Sequence, residues 1–525
     1  MTRMKKLLLH GVLSISFLCV FAQNNKDFIL QLKDADTQFS YGNYHLALPL
    51  YMALYTIDST NSHINFHIGV CLFSISSDKT LAIPYFEQSR KSFIDAYYYL
   101  GILYRMQKDF YYSRQAFLYY QNSYKEKKYN YNDINYQLQK TVVAEQFISM
   151  PKNIIINNLG RPVNSPYDDY APVILDEKNF LYFTSRRKGA SDNKKDPLGY
   201  YYEDIYRSDL KNEKWQEAKN IGSPFNTELN DACLGFSKDG KIMYLFRTEP
   251  DLVGGDIYFS EYKDNHWTAP EKFSARLNKN GYVESSLTIA PNEKTIYFSS
   301  NRPGGYGGKD IYRIVKLPDK SWSLPQNLGG VVNTPYDEDA PFIASDGVTL
   351  YFSSKGHLNM GGYDIFVTKK LSDNQWSEPE NMGYPVNSVK NDIFFILTTD
   401  GNTGYFSSNR DNGFGGMDIY SMEMLNYKPK IILLKGVVST NEPEFSYLQA
   451  TITVIDYQTK ELQGIYRTRK TNGKYILALL PKKHYKIIVE SDGYYSYTDD
   501  INLNEKIRMN DLFKNINLKK IPQSP

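Results

Sequence analysis

A unit of about 54 residues recurs five times in the middle of this 525-residue chain. Each copy contains the triplet Asp-Ile-Tyr or a near equivalent, and successive triplets begin 52, 54, 54 and 54 residues apart. The triplets start at Asp204, Asp256, Asp310, Asp364 and Asp418. A fixed period of this size is typical of folds that are assembled from one repeated supersecondary unit.

Each unit consists of short runs of aromatic and β-branched residues separated by Gly, Asn, Asp and Pro, which predicts strands and turns. A strand precedes every triplet, and a tight turn such as Asp239-Gly240 precedes that strand. Four units end on a further strand that carries Trp215, Trp267, Trp322 or Trp376. Four strands per repeat predict the blade of a β-propeller.

The two ends of the repeat region complement each other. The fifth unit lacks the strand with tryptophan, whereas the stretch from Ile154 to Gly160 resembles a blade-ending strand and precedes the first unit. Pairing the two would close the ring and remove open sheet edges. The sequence therefore predicts a five-bladed propeller over residues 153–426, with a six-bladed ring as the alternative.

The segments on either side of the propeller predict different folds, which makes the chain multidomain. In residues 24–150 the small residues Ala35, Gly69 and Gly101 are spaced by 34 and 32 residues, and each is followed by an aromatic residue. That period predicts three α-helical tetratricopeptide repeats, with a capping helix from Ile134 to Met150. Residues 430–520 predict a small β-sandwich with turns at Asn472-Gly473 and Asp492-Gly493.

The N-terminus predicts export. Lys5 and Lys6 precede an apolar run from Leu7 to Phe21, which is typical of a signal peptide spanning residues 1–22 and is too short to cross a bilayer. We therefore expect a periplasmic protein, associated with the outer membrane as one possibility. After cleavage only Cys71 and Cys233 remain, in different predicted domains, so no disulfide framework is expected.

The charge balance excludes one class of partner. The net charge of +3 falls to zero when the three basic residues of the signal peptide are removed. Nucleic-acid binding needs a basic footprint, so no nucleic-acid partner is expected.

One face of the predicted ring carries repeated polar residues. The loop before the first strand of each blade holds an Asn that is followed five or six residues later by an acid, namely Asp169, Asp231, Glu284, Glu338 and Asp392. The loop after the second strand holds Arg187, Arg302 and Arg410, with Glu249 and Gly356 at that place in the other blades. Such a charged ring could bind a polar peptide or a partner's loop. Because the residues recur in every blade, intramolecular pairing is the favoured interpretation.

Two further regions are candidate binding sites. The first blade has a longer loop from Arg186 to Tyr202, in which Arg186, Arg187 and Lys188 stand together. Such a loop is either a binding element on a rigid scaffold or a solvated insertion. The helical domain is rich in tyrosine, and Tyr98 and Tyr104 are candidates for lining a groove, although half or more of these tyrosines are expected in the core.

Catalytic and metal sites are not expected from the motifs. His63 and His67 stand four residues apart on a predicted helix, but the sequence shows no third ligand, so no metal is predicted. The chain contains no nucleophile elbow, P-loop or dinucleotide fingerprint. We therefore expect no catalytic residues and no cofactor.

The sequence of the repeats resembles that of a known family. The run from Tyr297 to Gly305, followed by Asp310, Ile311 and Tyr312, resembles TolB-type propeller repeats. The last region, with its Gly436, Gly473 and Tyr475, is similar to carboxypeptidase-regulatory-like domains. The order of the three domains resembles that of PorE-like accessory proteins of type IX secretion in Bacteroidota.

This resemblance implies a non-enzymatic periplasmic protein-interaction scaffold, with outer-membrane or secretion-machinery components as partners. Proteins of that family continue into a peptidoglycan-binding OmpA-like domain, whereas this sequence ends at Pro525, so direct peptidoglycan binding is not expected. The residues leave two other functions open. One is a propeller that binds glycans or peptidoglycan fragments, and the other is a hydrolase that uses the carboxylates of the ring.

Overall fold

The computed structural model forms two compact units, Met1–Leu425 and Asn426–Pro525. It describes residues 26–522, apart from residues 176–178, 190–193, 197–198, 251–253, 280, 425–431, 443–445, 481–482 and 504–510. The predicted signal peptide therefore lies outside the described residues. None of the described helices is both long enough and apolar enough for a bilayer crossing.

The first unit begins with antiparallel helices. They are α1 (26–40), α2 (Tyr44–Ile57), α3 (Ser62–Ile75), α4 (Ile83–Ser89), α5 (Asp95–Met106), α6 (Phe110–Asn122) and α7 (Tyr131–Ser149), with a 3-10 turn at Lys79–Ala82. The small residues lie where two helices approach closely, because a Cβ at Gly69 or Gly101 would come 2.8 or 2.6 Å from the ring of Phe86 or Phe117. The spacing that predicts these contacts is therefore explained by packing.

Five antiparallel sheets follow the helices, and we number them as blades 1 to 5. Blade 1 contains β2 (Asp169–Leu175), β3 (Phe180–Ser185), β4 (Asp204–Lys211), β5 (Lys214–Trp215) and β6 (Lys219–Asn220). Blade 2 contains β7 (Asp231–Phe236), β8 (Ile242–Thr248), β9 (Gly255–Lys263), β10 (His266–Trp267) and β11 (Glu271–Lys272). Blade 3 contains β12 (Ser286–Ile289), β13 (Thr295–Ser300), β14 (Asp310–Val315) and β15 (Gln326–Asn327).

Blade 4 contains β16 (Glu338–Ile343), β17 (Thr349–Ser354), β18 (Asp364–Ser372), β19 (Gln375–Trp376) and β20 (Glu380–Asn381). Blade 5 contains β21 (Asp392–Leu397), β22 (Thr403–Ser408), β23 (Asp418–Met424) and, from the start of the repeat region, β1 (Ile154–Asn158). Strand β1 pairs with β23 in antiparallel register, so the predicted closing strand is confirmed.

The first strands of the five blades form the inner wall of a closed ring. Strand β2 contacts β7 on one side and β21 on the other, and β12 and β16 complete the circle. This arrangement of antiparallel sheets around an axis is that of a β-propeller. The residues just before each inner strand therefore surround one end of a central channel.

The outer strand of the blades differs from the prediction. In blades 1, 2 and 4 the tryptophan lies on a two-residue strand that forms a short hairpin with the end of the third strand. A separate two-residue strand, such as β6, pairs with an earlier part of the third strand and completes the sheet. In blade 3, Trp322 forms an isolated bridge with Lys316. One predicted strand is thus two short pieces on the outer edge.

The helices and the ring belong to one compact unit because helix α7 packs on blades 4 and 5. Ala144, Met360 and Val389 form a buried apolar cluster at this contact, with Phe147 packed against it. The Tyr136 Oη donates a hydrogen bond to the Lys355 carbonyl at 2.5 Å, and its ring stacks on Tyr336. Strand β17 ends next to this contact, so the helices cover part of the face on which the repeated polar loops emerge.

The second unit contains two sheets around one core. One sheet holds β24 (Ile432–Thr440), β25 (Ser446–Tyr447), β28 (Lys474–Leu479), β31 (Asp511–Phe513) and β32 (Ile516–Asn517). The other holds β26 (Thr451–Asp456), β27 (Leu462–Arg467), β29 (His484–Glu490) and β30 (Tyr497–Asn502). Alternate residues of both sheets, such as Leu434, Ile452, Leu477 and Ile487, meet in a single buried cluster.

Candidate functional site

The repeated acids lie inside the blades. The side chains of Asp169, Asp231, Glu284, Glu338 and Asp392 are fully buried. Four of these carboxylates each face a guanidinium of their own blade: Asp169 lies 2.6 Å from Arg187, Glu284 lies 2.9 Å from Arg302, and Asp392 lies 2.6 Å from Arg410. In blade 2 the partner of Asp231 is Arg247, also at 2.6 Å. The structure therefore assigns these predicted binding residues to one another and leaves their carboxylates closed to a ligand.

Each arginine also ties the inner strand to the preceding loop. The Nη2 of Arg410 donates to the Val386 carbonyl at 2.6 Å, and the Nη2 of Arg187 donates to the Val163 carbonyl at the same distance. Charged hydrogen bonds of this kind are strong when they are buried. The repeated acid and arginine thus fix the loop that enters each of these blades.

The other repeated residues join neighbouring parts of the ring. The Asn164 side chain accepts from the Ile419 amide at 2.8 Å and donates to the Ile419 carbonyl at 3.0 Å, which links the first loop to the last blade. The Asp418 carboxylate accepts from the Asn158 side chain at 2.8 Å. In blade 2 this Asp–Asn contact is replaced by an ion pair between Asp256 and Lys272 at 2.5 Å.

Blade 4 departs from the common pattern. Gly356 occupies the place of the arginine, and an added Cβ there would overlap the Thr334 side chain. The His357 ring lies 2.8 Å from the Val332 carbonyl. In blades 1, 3 and 5 the carbonyl at the equivalent position accepts a hydrogen bond from the arginine. Glu338 has no cationic partner among the described residues, and burial raises the pKa of Glu338 to about 7.

A second set of polar residues lies at the end of the ring where the inner strands begin. We call this group the mouth cluster; its members are Asp168, Arg186, Glu203, Lys309, Asp337 and Tyr363. All of them stand directly before an inner strand, directly before a third strand, or directly after a second strand. The repeat places them at one end of the channel. Asp168 and Asp337 are equivalent residues of blades 1 and 4, whereas Glu203, Lys309 and Tyr363 are different residues at one repeat position.

Backbone hydrogen bonds between blades hold the mouth cluster in place. The Met417 amide of blade 5 donates to the Asp168 side chain of blade 1 at 2.7 Å, and the Lys309 amide of blade 3 donates to Asp337 at 3.2 Å. The Glu203 amide donates to the Asn230 side chain at 2.9 Å in the same way. The residue directly before the inner strand therefore fixes the contact with the preceding blade.

Ion pairs set the charge of the mouth cluster. Arg186 pairs with Glu203, Lys309 lies 2.8 Å from Asp339, and Lys355 lies 2.8 Å from Asp337. Burial lowers the pKa of Lys309, but Asp339, Asp337 and Glu203 outweigh burial, so the net shift is upward. Because Glu203 belongs to blade 1 and Lys309 to blade 3, their charges interact across the channel.

Asp168 differs from the other acids of the mouth cluster. Burial raises the pKa of Asp168, against the opposing effects of the Met417 amide and Arg186. The Asp337 carboxylate is held beside Lys355, and the Tyr363 hydroxyl lies 3.5 Å from it. The cluster thus combines carboxylates, cations and a phenol hydroxyl within one half-buried polar surface.

The predicted first-blade loop folds back onto the protein. Arg186 pairs with Asp196 at 3.1 Å as well as with Glu203, and its guanidinium lies over the Tyr200 ring. The Tyr200 hydroxyl reaches the Ile75 carbonyl of the helical region at 3.4 Å. Lys188 is exposed, while residues 190–193 and 197–198 lie outside the described residues. Arg186 therefore belongs to the mouth cluster.

The two tyrosines predicted for the helical groove have different positions. Tyr98 is buried and stacks on Tyr129. Tyr104 donates to Glu87 and lines a groove of about 1280 Å³, together with Tyr97, Tyr112 and Tyr119. Tyr98 is thus a core residue, and Tyr104 is a groove residue.

The histidine pair has a third group beside it. The Asp36 carboxylate of α1 lies 2.8 Å from the His63 Nε2. Asp36, His63 and His67 each offer one potential metal-ligand atom, and these three atoms lie within 4.8 Å of one another. A third side chain that could act as a ligand therefore accompanies the pair, although the sequence shows none. The sequence does not reveal Asp36 because it lies 27 residues before His63.

Comparisons with known proteins give distant structural similarity. No protein-family model matches the chain, and no curated protein sequence matches it. An α-L-arabinofuranosidase from Lactobacillus brevis is 14% identical, with 49% of this chain and 90% of that chain covered and a TM-score of 0.32. An α-L-arabinanase from Penicillium chrysogenum is 12% identical, with 53% of this chain and 98% of that chain covered and a TM-score of 0.33. At these TM-scores the similarity carries no activity over to this chain.

The comparisons nevertheless correct one sequence-based prediction. Several of the similar solved structures are α-L-arabinofuranosidases or an α-L-arabinanase, which does not agree with a non-enzymatic scaffold of type IX secretion. The prediction of a secretion scaffold is wrong on this finding. The choice between the remaining functions depends on the site.

Proposed function

We propose that this chain is an exported saccharide-binding protein and that the mouth cluster is its ligand site. The observation that carries the proposal is the difference in burial between the acids that begin the inner strands and the polar residues of the mouth cluster. The repeated acids are fully buried and four are paired within a blade, whereas Asp168, Glu203 and Asp337 keep partial exposure at the channel end.

The chemistry of the mouth cluster suits hydroxyl-rich ligands. A sugar hydroxyl both donates and accepts hydrogen bonds, so it pairs well with carboxylates that accept and with ammonium or guanidinium groups that donate. Glu203 and Asp337 supply acceptors, while Arg186, Lys309 and Lys355 supply donors at short range. Because Glu203 and Asp337 already lie beside cations, a neutral saccharide can bind without leaving these two charges unpaired.

Binding without hydrolysis is the function that we propose. A glycosidase needs one carboxylic acid as a proton donor and a second carboxylate as nucleophile or base. Asp168 has the raised pKa of a proton donor. However, Glu203 and Asp337 are each held by a cation, which weakens them as the second group.

The proposal is tested by titrating the purified chain with neutral oligosaccharides and peptidoglycan fragments in a calorimeter. We expect one class to bind with a Kd below about 1 mM. Asp337→Asn and Glu203→Gln should weaken that binding at least tenfold, because each removes an acceptor while keeping the shape of the side chain. Asp373→Asn is the matched control, since Asp373 is 88% exposed on an outer turn of blade 4.

Two outcomes would overturn the proposal. One is the absence of saccharide binding by a chain whose fold is shown to be intact by circular dichroism. The other is binding that Asp337→Asn and Glu203→Gln leave unchanged. Release of reducing sugar that Asp168→Asn abolishes would replace binding by hydrolysis as the function of the same site.

We also infer the types of the two flanking domains. The contacts of Gly69 with Phe86 and of Gly101 with Phe117 support tetratricopeptide-type packing in the helical region. The two sheets of the second unit and their common core support a carboxypeptidase-regulatory-like β-sandwich. Limited proteolysis that releases residues 426–525 as a folded fragment would support the second assignment.

A further inference from the structure

Three side chains of the helical region converge between α1 and α3. Asp36 lies on α1, and His63 and His67 lie one turn apart on α3. The two imidazole rings are 4.0 Å apart between centroids, with an angle of 33° between their planes. The His63 Nε2 and the Asp36 Oδ1 are 2.8 Å apart. This group lies outside the mouth cluster and takes no part in the proposed saccharide site.

Neighbouring groups orient each of the three. The His67 Nδ1 lies 2.8 Å from the His63 carbonyl, so it carries the proton and leaves the Nε2 lone pair of His67 available. The Tyr51 hydroxyl donates to the Asp36 Oδ1 at 2.6 Å. Metal-binding histidines and carboxylates are typically held by such outer hydrogen bonds, which fix the tautomer and the direction of the lone pair.

The surroundings combine one closed side and one open side. The Phe39 ring meets the His67 ring edge-on at 4.4 Å, and Tyr51 lies behind the pair at 5.3 Å from His67. The side chains of His63 and Asp36 are 38% and 41% exposed. An ion can therefore reach the group from solvent, while the aromatic rings limit the movement of His67.

The hydrogen bond between Asp36 and His63 is by itself a sufficient structural reason for the positions of these two side chains. It does not explain His67, whose Nδ1 lies beside the His63 carbonyl and which offers a ligand atom within 4.8 Å of those of His63 and Asp36. Two ligands of a tetrahedral zinc ion lie about 3.3 Å apart, given metal–ligand distances of about 2.0–2.2 Å. The 2.8 Å between the His63 Nε2 and the Asp36 Oδ1 is about half an ångström short of this spacing, and the three ligand atoms lie within 4.8 Å of one another, so side-chain rotations would bring them around one ion.

We propose that Asp36, His63 and His67 bind one divalent transition-metal ion, with Zn²⁺ as the favoured metal. Two imidazoles and one carboxylate form a set that zinc accepts, and a water molecule would complete the coordination. Because the ligands come from α1 and α3, the ion would connect these two helices.

The test uses the full mature chain, purified with a tag that contains no histidine and dialysed against a chelator. Titration with Zn²⁺ in a calorimeter should show one equivalent, and Co²⁺ should give the visible absorption of a tetrahedral site. Asp36→Asn and His63→Gln should each weaken Zn²⁺ binding at least tenfold. His266→Gln is the matched control, because His266 lies in an exposed hairpin of blade 2 and should bind as the unmodified chain does.

Zn²⁺ should also raise the melting temperature of the unmodified chain, as any ligand of the folded state does, and this rise should be lost in both variants. Circular dichroism in chelator checks that the variants are folded. Because His63 is partly exposed, His63→Gln keeps the test valid if Asp36→Asn disturbs the contact with Tyr51. Less than half an equivalent of bound Zn²⁺, or equal affinity in both variants and the control, would overturn the proposal.

Discussion

Blades 5 and 4 both have an acid at the start of the inner strand, but the two acids have different partners. In blade 5, Asp392 is paired with Arg410 at 2.6 Å, and the guanidinium also binds the preceding loop. In blade 4, Gly356 replaces the arginine, and Glu338 is buried among the hydroxyls of Ser354 and Thr334. A single repeat position thus holds a charged pair in one blade and a carboxyl without a cation in the next.

The difference has a structural reason. Helix α7 packs over blade 4, and its Tyr136 takes the Lys355 and Gly356 carbonyls as partners. The tight fit of Gly356 against Thr334 leaves no room for a side chain there. Lys140 of the same helix and Arg105 of α5 are buried and lie close enough to interact electrostatically with Asp364. Blade 4 therefore lacks the acid–arginine pair of the other blades at the place where the helical region packs on it.

The largest effect is expected when the ion pair of blade 5 is broken. Asp392→Ala leaves the Arg410 guanidinium without its counter-charge in a buried place, which costs about 3–5 kcal/mol. The Ser388 amide and hydroxyl, which donate to Asp392 at 2.6 and 2.8 Å, lose their acceptor as well. Urea unfolding followed by tryptophan fluorescence measures the loss, because all four tryptophans of the chain lie in the propeller blades.

Asp373→Ala is the control for this loss. Asp373 pairs with Lys370 at 2.8 Å but is 88% exposed, so its removal should change the free energy of unfolding very little. If Asp392→Ala costs no more than this control, the buried pair does not stabilise the ring.

The second prediction concerns the pH dependence that comes from blade 4. Burial raises the pKa of Glu338 from 4.5 to about 7, so the folded state keeps a proton that the unfolded state releases. The stability that comes from the neutral form is present below about pH 4.5 and is lost as the pH rises through about 7. Glu338→Gln should therefore gain stability relative to the unmodified chain between pH 5 and pH 8, by up to about 3 kcal/mol.

The matched variant in blade 3 should behave differently. Glu284→Gln removes the counter-charge of Arg302, which lies 2.9 Å away, so this variant should be destabilised at neutral pH. Equal pH profiles of the unmodified chain and Glu338→Gln, from urea unfolding at several pH values, would contradict the assignment of the titrating group to Glu338.

Much of the ring could be predicted from the sequence, since the period of the Asp-Ile-Tyr triplets marks the third strands and the strand from Ile154 completes blade 5. The partners of the repeated acids could not all be predicted. Arg247 stands two places before its expected position, and sequence alignment of the blades therefore misses its pairing with Asp231. The signal that could identify the mouth cluster is position, because each member stands directly before or after a strand of the repeat.

Contacts between distant segments are harder to predict than repeats. Nothing in the sequence near Gly356 shows that helix α7 covers it, because Tyr136 lies 220 residues earlier. Asp36 joins His63 and His67 only through the packing of α1 on α3. In both cases the tertiary structure brings together residues that have no common sequence pattern.

The smallest effect is expected at the contact between α7 and blade 4. Tyr136→Phe removes the hydroxyl that lies 2.5 Å from the Lys355 carbonyl and 3.0 Å from the Gly356 carbonyl, while the ring can still stack on Tyr336. Loss of one buried hydrogen bond costs about 1 kcal/mol. Hydrogen exchange at the amides of residues 355–360 should become faster, because these residues lose a point of attachment to the helix. Tyr131→Phe serves as the control, since Tyr131 is 66% exposed at the start of the same helix. Unchanged exchange in Tyr136→Phe would mean that the apolar cluster of Ala144, Met360 and Val389 holds the helix on blade 4 without help from this hydroxyl.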